Sequence, residues 1–210
     1  MIKSVIFDMD GTLLDSSFAM TQTVNQIRDT LGLKPISQEF LEFHINQPDI
    51  DLPMTFYGLK EYTPEYRALF KDIYMQNSTR YVKPYEGVFE LLHYLKDHDI
   101  FMSIATNASD FFANHMLEDC HMLDFFDLVI GANNVPNKKP EPDMVHLILD
   151  QSNTHKDASI LIGDSIKDEW AAKHSNVPFI FADWGYGTSN TATMKIETIS
   201  KLSDYFKEVL

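Results

Sequence analysis

Apolar and polar positions follow two patterns along this chain, and the change between them divides it. Residues 3–7 are a short apolar, β-branched run that stops abruptly at Asp8, the pattern of a buried strand. Gly11 and Thr12 mark a sharp turn. After it, Ser16 or Ser17 can cap a helix whose apolar positions are Ala19, Met20, Val24, Ile27 and Leu31, with Gly32 where such a helix stops. From there to about residue 80 the pattern is helical and rich in aromatic residues and methionine. It is interrupted by Pro35, Pro48, Pro53, Gly58 and Pro64 and offers no strand. These features predict a small helical insertion over residues 16–82, with Tyr81-Val82-Lys83-Pro84 as the return linker.

Beyond Tyr85 helical and apolar segments alternate. Helices are predicted over residues 87–96, 109–117, 143–151 and 167–174, and strands over residues 100–105, 128–130, 159–162 and 178–181. A last helix spans residues 199–209. This alternation is that of an α/β parallel sheet covered by helices on both faces. Residues 1–15 and 83–210 would form that core.

Composition narrows the partners. A hydrophobic fraction of 44% supports a real core, and a formal net charge of −14 argues against a nucleic-acid backbone or an anionic membrane surface. A small anionic ligand stays compatible, because one bound metal can reverse the field of a pocket. Cys120 is the one cysteine, so no intramolecular disulfide can form. It reads as a partly buried core residue rather than a nucleophile. No export signal or membrane-spanning run is visible, and a cytoplasmic location is expected.

In such sheets ligands bind beyond the carboxyl ends of the strands, so the residues standing there carry the chemistry. They are Asp8 and Asp10 after the first strand, Thr106 and Asn107 after the second, and Gly163, Asp164 and Ser165 after the fourth. The long loop after the third strand ends in Lys138-Lys139-Pro140. Gathered carboxylates stay ionised together only beside a cation, and oxygen ligands without histidine or thiolate favour Mg2+. Asp8 and Asp164 are the natural ligands, with Asp168 one helical turn further on. A carboxylate at a metal can attack phosphorus, and an acid two residues on can protonate the leaving oxygen and later deprotonate water. Asp8 and Asp10 suit those roles, with Gly11 permitting the turn. Thr106, Asn107 and Lys139 supply donors to a phosphoryl group, Lys139 being favoured over Lys138 because Pro140 restricts the chain beside it. The scattered histidines lack metal-ligand spacing; His44 alone is placed to face a substrate.

FDMDGTLLDS at residues 7–16, IATNAS at 104–109, KKPEPDM at 138–144 and IGDSIKDEWAA at 162–172 together resemble the haloacid dehalogenase superfamily of hydrolases. The resemblance spans nearly the whole chain. It implies a Rossmann-like core with an inserted, mobile helical cap, as in the phosphoglycolate phosphatase and β-phosphoglucomutase branch. It implies Asp8 as nucleophile, Asp10 as general acid/base, and Thr106 and Lys139 as phosphate holders. Magnesium would be bound by Asp8, Asp164 and the Asp10 carbonyl, with Asp168 supporting the site. The expected partner is a small phosphate ester.

Three departures from that branch leave the chemistry intact and bear on the substrate: Ala108 after the Thr-Asn pair, His174-Ser175-Asn176 at a helix stop, and His44-Ile45-Asn46-Gln47-Pro48 in the cap. Trp184-Gly185-Tyr186-Gly187 resembles the tail of phosphoglycolate phosphatase-like chains, and reads equally as a turn packed near the core. Three rival readings use the same parts. A phosphomutase needs a second phosphate grip, for which Lys60, Arg67, Lys71 and Arg80 of the cap are the candidates. A dehalogenase needs neither Asp10 nor magnesium. A non-catalytic phospho-acceptor has no use for Asp10.

Overall fold

The computed structural model describes residues 1–47 and 49–210. Pro48, expected to interrupt the helical insertion, lies outside the described residues. The core sheet has six strands, β1 (Ser4–Phe7), β4 (Phe101–Ala105), β5 (Leu128–Ile130), β6 (Ser159–Gly163), β7 (Phe179–Ala182) and β8 (Lys195–Ile196), in the order β5-β4-β1-β6-β7-β8. All pairings are parallel. The first strand is therefore central, and the chain order reverses across it. Such a switch point leaves a crevice beyond the strand ends, because the connections on its two sides run in opposite directions. Phe7 is level with Ile104 and Ile162, so Asp8 emerges beside the ends of both neighbours.

Side chains alternate across the sheet with period two. Val5 and Phe7 face a core shared with α5 (Val88–Asp97), α6 (Asp110–Asp119) and α9 (Ile199–Val209), through Leu91, Leu95, Met116 and Phe206. Ile6 faces the opposite core, made with α7 (Asp143–Ser152) and α8 (Ile166–Ser175) through Met144, Ile148, Ala171 and Ala172. The predicted helices and strands of the core lie within one or two residues of these bounds. The expected turn at Asn176 is left-handed, φ 55°. The edge strand β8 has no counterpart in the sequence reading, because two residues carry no periodicity.

The insertion contains four helices, α1 (Ser17–Thr30), α2 (Gln38–Ile45), α3 (Leu52–Tyr57) and α4 (Pro64–Tyr81). They close their own apolar cluster around Val24, Ile27, Leu41, Phe56 and Tyr57. Tyr74 of α4 roots this unit on α6, packing edge-on against Phe112 at 5.3 Å, with its hydroxyl donating to the Met116 sulfur at 3.4 Å. The return linker differs from expectation. Helix α4 continues through Tyr81, and β3 (Lys83–Pro84) pairs antiparallel with β2 (Leu14–Asp15). Both crossings between core and insertion thus run side by side as a ribbon, a pairing set by tertiary proximity that no local pattern announces. Among the described residues no helix is long and apolar enough to cross a membrane.

The central strand is where packing has least freedom to adjust. Phe7→Ala, which empties a fully buried position, is expected to lower stability by about 3–5 kcal/mol. Phe43→Ala on the exposed face of α2 should change it by less than about 0.5 kcal/mol, both read from denaturant midpoints.

Candidate active site

Asp8 continues the line of β1 past its last paired residue, and its N–H donates to the Ile162 carbonyl at 2.8 Å. That bond fixes the backbone at the strand end, so the carboxylate has a defined direction. Beside it lie Lys139, Asp164 and Asp168, all at most 2% exposed. Burying four charged groups together requires that each find partners. The Lys139 ammonium sits among three oxygens, donating to Asp8 at 2.6 Å and to Asp168 and the Ala105 carbonyl at 2.5 Å each. Lys138, its competitor by sequence, is exposed, although it lines the rim of the same pocket.

The last strand-end loop is a reciprocal cap. Ser165 Oγ accepts from the Asp168 N–H, and Asp168 Oδ2 accepts from the Ser165 N–H at 3.1 Å. This leaves Asp168 Oδ1 for Lys139. Asp168 is therefore a helix cap and a site residue at once, and not a solvated acid.

Asp164 is held from a direction that spacing could not reveal. The Tyr186 N–H donates to its Oδ2 at 2.7 Å and the Gly187 N–H at 3.3 Å. Gly185 beside them cannot carry a side chain, because a Cβ there would overlap both Asp164 and the Gly11 carbonyl. The Trp184 indole donates to the Thr12 carbonyl at 3.0 Å, and the Tyr186 hydroxyl accepts from the Ser17 N–H at 2.9 Å. Trp184-Gly185-Tyr186-Gly187 thus ties the Asp164 carboxylate to the first turn and to the base of α1. Its sequence signal was present, but its partners were some 170 residues away in the chain.

Ser16 is the second residue missed. It stands at the N-terminus of α1 but makes no side-chain cap there. Its hydroxyl instead donates to Asp10 Oδ1 at 2.5 Å, which orients the Asp10 carboxyl into the pocket that both residues line. Gly11, at φ 82°, lets the chain turn between them, and a Cβ at this position would strike the Asp164 carboxylate. Thr106 is buried, with its hydroxyl accepting from the Ala108 N–H at 3.1 Å. Asn107 donates through its amide to the Lys139 carbonyl at 2.8 Å. Its Oδ1 is buried without a partner among the described residues.

All seven predicted residues line this one crevice or touch a residue that does. Asp8, Asp10, Thr106, Asn107, Lys139 and Asp164 line a pocket of about 210 Å3, and Asp168 stands behind Lys139. From the insertion, Met20, Leu41, Ile45, Asn46 and Leu52 form its roof. His44 is turned away and stacks on Phe40 at 4.0 Å; the neighbouring Asn46 faces the pocket instead.

Electrostatics show what this arrangement lacks. Burial, reinforced by Asp168 and Asp164, pushes the Asp8 carboxyl well above the ordinary range in spite of Lys139. Burial and Asp168 push Asp164 up to about 7, against the pull of the Tyr186 and Gly187 amides. Burial raises Asp10 as well, opposed by the Ser16 hydroxyl. One ammonium does not balance this many carboxylates. Asp8, Asp164 and Asp168 each offer an oxygen within 4.8 Å of the others, an all-oxygen donor set that fits a hard divalent cation. Cys120, by contrast, is half-buried and its thiol is pushed up to about 11 by burial, which suits a packing role.

Comparison with known proteins agrees with this geometry. The family model described as haloacid dehalogenase-like hydrolase matches residues 5–182. A phosphoglycolate phosphatase of Aquifex aeolicus is 25% identical over 206 residues, covering 98% of this chain and 96% of that protein. A phosphoglycolate phosphatase of Photobacterium profundum is 29% identical, with coverages of 98% and 96%. A haloacid dehalogenase-like hydrolase structure from Streptococcus pneumoniae superposes with a TM-score of 0.84 at 21% identity, covering 98% of each chain.

Protons and a cation compete for the same oxygens. A carboxyl raised in the folded state holds its proton between about pH 4 and 7 while the unfolded chain has lost it. This contribution favours the fold at low pH and is lost as pH rises through that window. Magnesium at a hundredfold excess over its Kd is expected to add about 2.7 kcal/mol, roughly 5–10 °C in Tm for a chain of this length. The gain at pH 8 should exceed that at pH 5, as thermal melts with and without the ion will show.

Proposed function

Because the chain belongs to the haloacid dehalogenase-like hydrolase family, we propose that it is a magnesium-dependent phosphatase of small phosphate monoesters that works through an aspartyl-phosphate on Asp8. One observation carries this reading: a buried carboxylate at the sheet's switch point touches a buried ammonium 131 residues away in the chain, beside two further carboxylates. In this reading residues 1–15 and 83–210 are the catalytic core and residues 16–82 the cap. The ribbon of β2 and β3 is the joint about which the cap swings to admit substrate and shut out bulk water.

The chemistry follows from the groups present. The substrate phosphoryl group lies against Thr106, Asn107 and Lys139, whose hydroxyl, amide and ammonium meet its charged oxygens. An Asp8 oxygen attacks phosphorus as the ester bond to the leaving oxygen breaks. Asp10, whose pKa burial raises, gives that oxygen its proton. Water then attacks the aspartyl-phosphate, Asp10 takes the water's proton, and phosphate leaves with Asp8 regenerated. Asp8, Asp164 and the Asp10 carbonyl would hold Mg2+, with Asp168 behind, and the bound ion would supply the positive charge that lets a carboxylate approach a phosphate.

The mutase alternative needs a second phosphate grip, and none of the four candidates, Lys60, Arg67, Lys71 and Arg80, lines the phosphate pocket. Lys71 sits over Phe111 at 4.0 Å, Arg67 over Tyr62 at 5.6 Å and Arg80 over Tyr81 at 5.1 Å. The names of the curated relatives make phosphoglycolate the first metabolite to assay. The charge balance and lone thiol suit the cytoplasm.

Asp8→Asn is expected to lower magnesium-dependent hydrolysis of an aryl phosphate by about a thousandfold or more while circular dichroism stays unchanged. Full activity in this variant would defeat the nucleophile assignment. Asp10→Asn should slow turnover by roughly a hundredfold to ten-thousandfold and let a phospho-enzyme, 80 Da heavier (about the mass of one phosphoryl group), accumulate in intact-mass spectra.

A further inference from the structure

A second cavity, of about 330 Å3, lies inside the cap, between α1, α3 and α4 and against Phe112 of α6. It is larger than the phosphate pocket, and Met20, Ile45 and Leu52 line both. The two are therefore adjoining compartments, parted by three apolar side chains.

Their chemistry differs sharply. The phosphate compartment ends in carboxylates, lysines and amides. The cap compartment is walled by Val24, Phe56, Tyr57, Phe70 and Phe112, with no carboxylate among its lining residues and Arg67 as its one cation. Arg67 is already placed over the Tyr62 ring. The Tyr57 hydroxyl is buried without a partner among the described residues. Burial pushes that phenol further above its ordinary value, so it stays a donor. A volume in the range of small-molecule sites, about 300–1,000 Å3, lined by apolar and aromatic side chains with one or two polar groups, has the composition of a ligand pocket.

We propose that the preferred substrate is a phosphate monoester with an uncharged apolar or aromatic organic part, seated in the cap compartment while its phosphate lies on Lys139 and Thr106. This rests on the phosphatase reading and names the substrate class for it. A two-carbon acid would leave the cap compartment unfilled, and a carboxylate within it would be desolvated at high cost. A sugar would bring several hydroxyls to a wall with little to meet them. An alkyl or aryl group gains from burial there.

The test is kcat/KM for ethyl, butyl and hexyl phosphate, with phosphoglycolate and glucose 6-phosphate alongside, under saturating magnesium. Each buried methylene is worth up to about fourfold, so hexyl phosphate is expected to exceed ethyl phosphate by at least about tenfold, and glucose 6-phosphate should gain nothing over ethyl phosphate. In Val24→Phe, which fills the cavity from α1, the hexyl-to-ethyl ratio should fall towards one. As a readout apart from turnover, hexylphosphonate should raise the Tm of the intact protein more than methylphosphonate does. Hydrolysis of every ester with no dependence on chain length, or a ratio unmoved in a folded Val24→Phe, overturns the cap assignment and leaves the phosphatase reading standing. Hydrolysis of none of them overturns both.

Discussion

The contact between the Lys139 ammonium and the carboxylates of Asp8 and Asp168 organises the rest of this molecule. Water stabilises an isolated carboxylate so well that burying one alone is prohibitive, and burying three without a cation is worse. The fold brings them together at the one place where a parallel sheet leaves a crevice and where four loops from different strands converge. Each loop then does double duty. Ser165 caps α8 and is capped by Asp168, while Ser16 starts α1 yet spends its hydroxyl on Asp10. Helix termini are common places for such arrangements, since their unpaired N–H groups already need acceptors.

The excess of negative charge that Lys139 cannot neutralise is the physical reason for a cation here. It also explains how a chain with a net charge of −14 can attract an anionic ester. A cation bound there would, with the ammonium, set a local positive field, while the overall charge disfavours polyanionic partners. The loop of Trp184 and Tyr186 has a matching role. It holds Asp164 by two backbone amides and grips the turn that leads into the cap. Asp164, the turn after β1 and the start of α1 are thereby joined in one hydrogen-bonded unit. A change in cap position is felt at that unit first, because Tyr186 touches the N-terminus of α1 directly.

The cap adds what the core lacks. The core can recognise a phosphoryl group but presents nothing to distinguish one ester from another. The aromatic residues of α3 and α4 pack their own helices, as their spacing suggests, and also leave a space of substrate size behind the phosphate pocket. On the proposed reading, packing and recognition are carried by the same side chains.

The chain alone determined the α/β class, the insertion and the set of chemical groups, because these follow from local periodicity and from which residues stand after each strand. Asp8, Asp10, Thr106, Asn107, Lys139, Asp164 and Asp168 were legible because the ends of parallel strands converge wherever the strands are ordered this way. Tertiary structure alone decided that Ser16 serves Asp10 and that Asn46 rather than His44 faces the pocket. It also decided that residues 83–84 close a ribbon and that residues 184–187 clamp Asp164. Each of these depends on contacts between segments distant in sequence, or on which side of a turn a side chain leaves the backbone. Periodicity carries no information about either.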